Sequence, residues 1–224
     1  HVTDDEKKIA DKLRQHINVK INKYNNKKVN MKYKNKNFIQ KYLEDLNNLN
    51  QNLAKNYVNE IEKIIDFFVK TSNRDGKIIF IGNGGSASIC SHVSVDLSKN
   101  AKIKSINFNE SDLITCLSND YGYENYFKEA LNLYCDKKKD LVVMLSCSGN
   151  SPNLVNAAKF CKKNKIKFIT LTSQKKTNKI KMLNQNGINI WIDSSAYNQV
   201  EILFNVILLV VIDAIIGKTV YPPN

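Results

Sequence analysis

Histidine is scarce in this chain, three in 224 residues, and that scarcity constrains the chemistry more than anything the sequence has in plenty. His1 is terminal and His16 falls in a polar leading segment, so His92 is the one imidazole available for acid/base or metal work in the body of the chain. Zinc would need a further side-chain ligand, and no other histidine can supply it. The five cysteines, at 90, 116, 135, 147 and 161, are odd in number and show no C-x-x-C spacing, which argues against a disulfide framework and a structural zinc site. Neither glycine-rich turn carries G-K-[ST], so a Walker A loop is absent, and SCSGN does not match the G-x-S-x-G of serine hydrolases. An apolar signal core is missing from the charged start HVTDDEKKIADKLRQH, and together with the cysteines this predicts a reducing, cytoplasmic setting. The only membrane-like run, VEILFNVILLVVIDAII (200–216), is short for a span and is interrupted by Glu201, Asn205 and Asp213. It reads as a buried core or subunit-interface helix, with no membrane partner.

Positive charge is abundant, a formal +13, yet the lysines are scattered among asparagines instead of forming a dense arginine-rich block. Solvated faces account for that pattern better than nucleic-acid binding does, and the same balance suits a small anionic substrate. With 42% hydrophobic residues the length allows one substantial core and an appended segment. The expected division is a helical and polar extension over 1–36, a main domain over 37–217 and a tail over 218–224.

Within the extension, weak helical periodicity runs from Asp4 to Asn25 and stops at the polar break NNKKVN. From Asn37 to Thr71 apolar residues recur mostly at spacings of three and four, predicting one or two long amphipathic helices. After NRDG the texture changes to short β-branched and aromatic runs at 77–82, 103–108, 140–146, 167–173 and 188–192, separated by helix-length segments. Runs with so little polar alternation predict parallel strands covered on both faces, hence an α/β fold with a five-stranded parallel sheet flanked by helices, flavodoxin-like in strand order 2-1-3-4-5.

Such sheets bind ligands beyond the carboxyl ends of their strands, near the switch point in strand order. Two turns would meet there. GNGGS (82–86) follows the first strand, where Gly82, Gly84 and Gly85 permit a sharp bend and Ser86 stands at the expected start of a helix with free amides. SCSGNS (146–151) follows the third strand, and the hydroxyls of Ser146, Ser148 and Ser151 surround Gly149 just before Pro152. Hydroxyls and helix amides together can hold three phosphate oxygens without a lysine. The same residues also serve as ordinary turn and cap chemistry, and GNGGSA with Glu110 satisfies a loose dinucleotide fingerprint that makes no use of the second loop. His92 and Asp96, at i and i+4, share one helical face, suited to a catalytic or a structural role. In LSNDYGYENYF (117–127), Asn119 and Asp120 follow a predicted short helix, either as turn residues or in a loop closing over the crevice.

GNGGSASICSHVSVDL, CLSNDYGYENYF and LSCSGNSPNLVNAAKFCKKNKIKFITLT, in that order, resemble the sugar isomerase (SIS) domain family, in its sedoheptulose 7-phosphate isomerase (phosphoheptose isomerase) branch. The resemblance covers about residues 37–217 and implies an SIS phosphosugar-binding domain, a homotetramer and active sites shared between subunits. It implies that Asn83, Gly84, Gly85 and Ser86 line the sugar site, that Asn119 and Asp120 contact the sugar, and that Ser146, Cys147, Ser148 and Ser151 bind the phosphate. Cys147 stands where the family commonly has threonine. Aldose–ketose isomerisation through an enediol needs a base and an acid, which the branch supplies with a histidine and a glutamate on the first helix and a glutamine and a histidine on the last, a set that can hold zinc. Here the first pair is His92 and Asp96, while the last helix offers Val200 and Leu208, and sliding the alignment to use Gln199 still supplies no histidine, so neither metal nor other cofactor is expected. Glu201 on that helix is the remaining candidate for catalysis beside Asp96 and His92. The alternative is a phosphosugar-binding or regulatory SIS protein that has lost the acid/base site.

Overall fold

A computed structural model describes residues 36–220, so the helix expected over 4–25 lies outside the described residues. These residues fall into two compact units that divide between Asp45 and Leu46. Helix α1 (Lys36–Asn56) begins in the first, where the rings of Phe38 and Tyr42 lie 6.4 Å apart and Lys41 pairs with Asp45 at 3.2 Å.

In the second unit the helical periodicity continues through Leu46, Leu49 and Leu53 and then α2 (Val58–Asn73). The apolar runs that follow form β1 (Ile78–Gly82), β2 (Ser105–Asn107), β3 (Leu141–Ser146), β4 (Lys167–Ser173) and β5 (Asn189–Ile192). Between them lie α3 (Gly85–Lys99), α4 (Ser111–Tyr121), α5 (Tyr126–Tyr134), α6 (Pro152–Lys163) and α7 (Lys179–Leu183), and α8 (Tyr197–Ile216) follows β5. All pairings are parallel and the order is β2-β1-β3-β4-β5, the arrangement expected from the sequence. β2 is shorter than its apolar run, because only three residues pair with β1 at the sheet edge; Ile103 and Phe108 at the ends of the run are nevertheless buried.

Both faces of the sheet are covered, which is why its strands carry so little polar alternation. Ile78, Phe80, Leu141, Val143 and Leu145 pack with α2, α3 and α8, whereas Ile79, Ile81, Val142 and Met144 pack with α5 and α6. Among the described residues α8 is the one helix long and apolar enough to cross a membrane. One side of it is packed inside the fold, where Val200, Leu203, Phe204, Ile207, Leu208, Val211 and Ile212 are all buried in the first of these clusters, while Ile202 and Val210 on the other side are exposed.

The amino ends of the two central strands are pinned by one carboxylate. Asp140, 3% exposed, accepts from the backbone N–H of Lys77 at 2.9 Å and of Asp136 at 2.8 Å, and pairs with the Lys77 ammonium at 2.5 Å. A buried charge with these three donors is compensated, and removing it would strand all of them. At the opposite end, Gly82 is in register with Leu145 on β3. The turns leaving β1 and β3 are therefore neighbours at the point where the chain winds away in opposite directions, which is where this topology opens a crevice.

Candidate functional site

β1 ends at Gly82, and Gly84 takes φ of +56° before α3 begins at Gly85. A side chain at Gly84 would meet open space, so the left-handed backbone alone favours glycine there. Asn83 binds Asn153 reciprocally, each amide donating to the other's oxygen at 3.0 and 2.9 Å. Asn153 is 1% exposed, and its Oδ1 also accepts from the Leu154 N–H at 2.9 Å. The first turn is thus tied to the start of α6, and the Tyr123 hydroxyl, donating to Asn83 Oδ1 at 3.1 Å, ties in the α4–α5 connection.

The second turn is built so that its hydroxyl protons remain available. Ser146 Oγ accepts from the Gly149 N–H at 3.1 Å, and Ser148 Oγ accepts from the Asn150 N–H at 3.2 Å. Each hydroxyl still has its own proton to donate. Gly149, at φ +60°, lies against Asn178, whose Oδ1 would be 2.1 Å from a Cβ at that position. Asn178 in turn donates to Thr172 Oγ1 and to the Lys175 carbonyl, while Ser173 donates through both N–H and Oγ to the carbonyl of Cys147. The carboxyl end of β4 therefore holds the loop in shape from behind. Ser151 is the N-cap residue of α6 with Pro152 in its first turn, and its side chain makes no capping bond. Within that turn Pro152 has no N–H, and the Leu154 and Val155 N–H groups are taken up by Asn153 Oδ1 and the Ser151 carbonyl, which leaves the Asn153 N–H as the amide this helix end offers a ligand.

A cavity of about 110 Å³ lies between the turns, lined by Asn83, Ser86, Leu145, Ser146, Cys147, Ser148, Ser151, Leu154, Tyr197 and Glu201. Glu201, on the first turns of α8, accepts from Ser86 Oγ at 3.2 Å. Its carboxylate is so close to the start of α3 that a Cβ on Gly85 would be 2.2 Å from Oε2, so Gly85 is needed for this approach. Burial raises the Cys147 thiol to about 12, and the nearby Glu201 charge adds to the effect; the thiol remains protonated and does not act as a nucleophile.

The structure thus gathers Asn83, Ser86, Ser146, Cys147, Ser148, Ser151 and Glu201 around one space, with Gly84 and Gly85 shaping its wall. It does not bring the remaining candidates to that cavity. His92 and Asp96 pair at 3.3 Å along α3, with the His92 side chain 54% exposed, and neither lines the cavity. Asn119 and Asp120 were expected after a short helix; they occupy the last turn of α4 itself, exposed, with the Asn119 amide donating to Asp120 at 2.9 Å. Glu110, required by the dinucleotide fingerprint, is the exposed N-cap residue of α4 and contributes nothing to the cavity. Sequence reasoning passed over Asn153, Tyr123, Asn178 and Tyr197. Only Tyr123 carried a signal, as part of the aromatic stretch beside Asn119 and Asp120.

Zinc, which the resemblance allows for, does not fit the donors present. Val200 and Leu208 are aliphatic and buried in the core, and among the described residues no three of His, Cys, Asp and Glu are grouped to hold a metal ion.

Residues 41–173 match the family model described as the SIS domain. The phosphoheptose isomerase of Cytophaga hutchinsonii is 32% identical over 161 residues, spanning 68% of this chain and 83% of the relative. That of Thermodesulfovibrio yellowstonii is 29% identical over 143 residues, 61% of this chain and 71% of the relative. Among solved structures, the phosphoheptose isomerase of Neisseria gonorrhoeae superposes with a TM-score of 0.75 at 20% identity, covering 81% of this chain and 98% of that one. The Vibrio vulnificus NanR protein complexed with ManNAc-6P gives 0.57 at 14% identity, covering 80% of this chain and 62% of that one. At such identities the superpositions establish the fold alone.

Proposed function

Because the chain belongs to the SIS domain family, we propose that it binds a phosphosugar between the β1 and β3 turns and interconverts its aldose and ketose forms, in the manner of phosphoheptose isomerases. The observation that carries this reading is the cavity between the two turns, where the Ser146 and Ser148 hydroxyls keep their protons and the Asn153 N–H at the start of α6 is the third donor. Three donors of this kind match the three terminal oxygens of a phosphate monoester. The sugar would extend from there past Asn83 and Ser86, and Asn119 and Asp120 would approach it from the end of α4.

Isomerisation through an enediol moves one proton between adjacent carbons and serves the two oxygens. Among the described residues Glu201 is the one carboxylate lining the cavity, and it takes the part of base. His92, paired with Asp96 on α3, would act as acid in a site shared with a second subunit of a cytoplasmic homotetramer, the assembly that the likeness to phosphoheptose isomerases suggests. No metal or other cofactor enters the scheme.

One observation favours a second reading. Val200 and Leu208, at the two last-helix positions where the branch has its glutamine and histidine, are core residues, which leaves binding without turnover as the alternative. The Vibrio vulnificus NanR structure pairs this fold with a bound phosphosugar. Purified protein incubated with sedoheptulose 7-phosphate and a panel of ketose phosphates separates the readings. Turnover supports the isomerase; saturable binding without turnover selects the binding protein; neither one refutes both.

A further inference from the structure

Resting on the phosphosugar reading, we propose that Glu201 sets the charge of the ligand, so that the cavity accepts a phosphate ester carrying one negative charge in preference to two. Two helix amino ends meet at this cavity, and one is already occupied. The Glu201 carboxylate sits on the first turn of α3, held by Ser86 Oγ at 3.2 Å and admitted by the missing side chain at Gly85. It takes the place an external anion would take at a helix amino end. The α6 end, with Ser146, Ser148 and Ser151, is what remains for the ligand.

Among the described residues no lysine, arginine or histidine lines the cavity. The titratable groups facing Glu201 there are the Cys147 thiol, which stays protonated, and the Tyr197 phenol. From α2, packed against α8, the apolar Ile64 and Phe68 share a buried cluster with Val200 and Leu203 on either side of Glu201 in sequence, and the Tyr57 hydroxyl is committed to the carbonyl of Trp191 at 2.6 Å. From α3 the charged pair His92 and Asp96 lies outside the cavity, against each other. The ligand thus meets neutral donors and one negative charge across a cavity of about 110 Å³, near enough for a second charge on the ligand to be repelled. A phosphate monoester loses its last proton at about pH 6. Above that pH, binding the monoanion means taking a proton from solvent, and affinity falls as pH rises.

Calorimetric titration of the full chain with sedoheptulose 7-phosphate, at several pH values from 6 to 8 and in two buffers of different ionisation heat, tests this. A sugar sulfate ester, singly charged throughout, serves as reference. The expected result is a phosphate-ester Kd that rises by about tenfold per pH unit at the upper end, with uptake approaching one proton per ligand, and a flat profile for the sulfate. Glu201→Gln, which keeps an oxygen for Ser86, is expected to tighten phosphate-ester binding on the order of tenfold at pH 8 and to flatten its profile. A flat wild-type profile with binding intact overturns the inference while leaving the phosphosugar reading in place. So does a Glu201→Gln protein, folded by circular dichroism, that binds no more tightly at pH 8. Absence of binding by every phosphate ester at every pH overturns both.

Discussion

Replacing Ser148 by alanine removes one hydroxyl from the proposed phosphate cradle, and the structure allows the cost to be worked out. Ser148 Oγ has two uses: it accepts from the Asn150 N–H at 3.2 Å, and its own proton is free for a ligand oxygen. A hydrogen bond to a charged acceptor contributes about 1.5–3 kcal/mol, which corresponds to roughly ten- to a hundredfold in affinity. The lost acceptor matters less. Asn150 is only half-buried, so water can reach its N–H, and the expected loss of folding stability is under about 1 kcal/mol. Binding of sedoheptulose 7-phosphate by titration calorimetry, with a thermal melt of the same preparation, reads both quantities. Weakened binding at an unchanged melting temperature is the expected pair of results. Unchanged affinity in a protein that binds the ligand would mean that the phosphate does not sit on this loop, and would refute the reasoning.

Other consequences follow from the same contacts. Asp140→Asn retains shape but removes the buried charge that half-buried Lys77 pairs with and weakens three donors at once, so urea unfolding should show a loss of about 2–3 kcal/mol. Tyr123→Phe deletes the hydroxyl that orients Asn83 and should weaken phosphosugar binding by a factor of about five to ten, the worth of about 1 kcal/mol, with no change in the melting temperature. Burial raises the thiols of Cys90 and Cys161, and those of Cys135 and Cys147 to about 12, from an ordinary value of 9.0. Above pH 9 (about 9) the unfolded chain releases these protons while the folded chain keeps them, so stability should fall as pH rises from there toward 12. Denaturation midpoints between pH 8 and 11 check the sign; in the native state at pH 8, a thiol reagent should modify exposed Cys116 well before buried Cys147.

The sheet was legible because the cause of each strand is local. KIIFIG and DLVVMLS are apolar without alternation, and only a strand covered on both faces tolerates that. The two turns were equally legible, since a left-handed backbone at Gly84 and Gly149 restricts residue choice at the position itself. Asn119 and Asp120 were misplaced by one element, because the polar pair resembles a turn whereas the helix runs on to Tyr121 and stops at Gly122. Asn153 could not have been found. An asparagine in the first turn of a helix is unremarkable in sequence, and its importance comes from Asn83, seventy residues earlier, lying opposite it.

The sequence by itself determined the layered α/β architecture, the parallel strands, the two glycine- and serine-rich turns and the poverty of basic groups in them, because periodicity, burial and backbone freedom are properties of short stretches. Tertiary structure alone decided which groups share a space. The strand order brings Gly82 beside Leu145 and so makes one cavity of two turns. The packing of α8 on α3 leaves His92 on an outer face and turns Glu201 inward onto Ser86, a contact between residues 115 positions apart. No local pattern encodes such a contact, because it depends on how two helices are rotated about their axes when they meet.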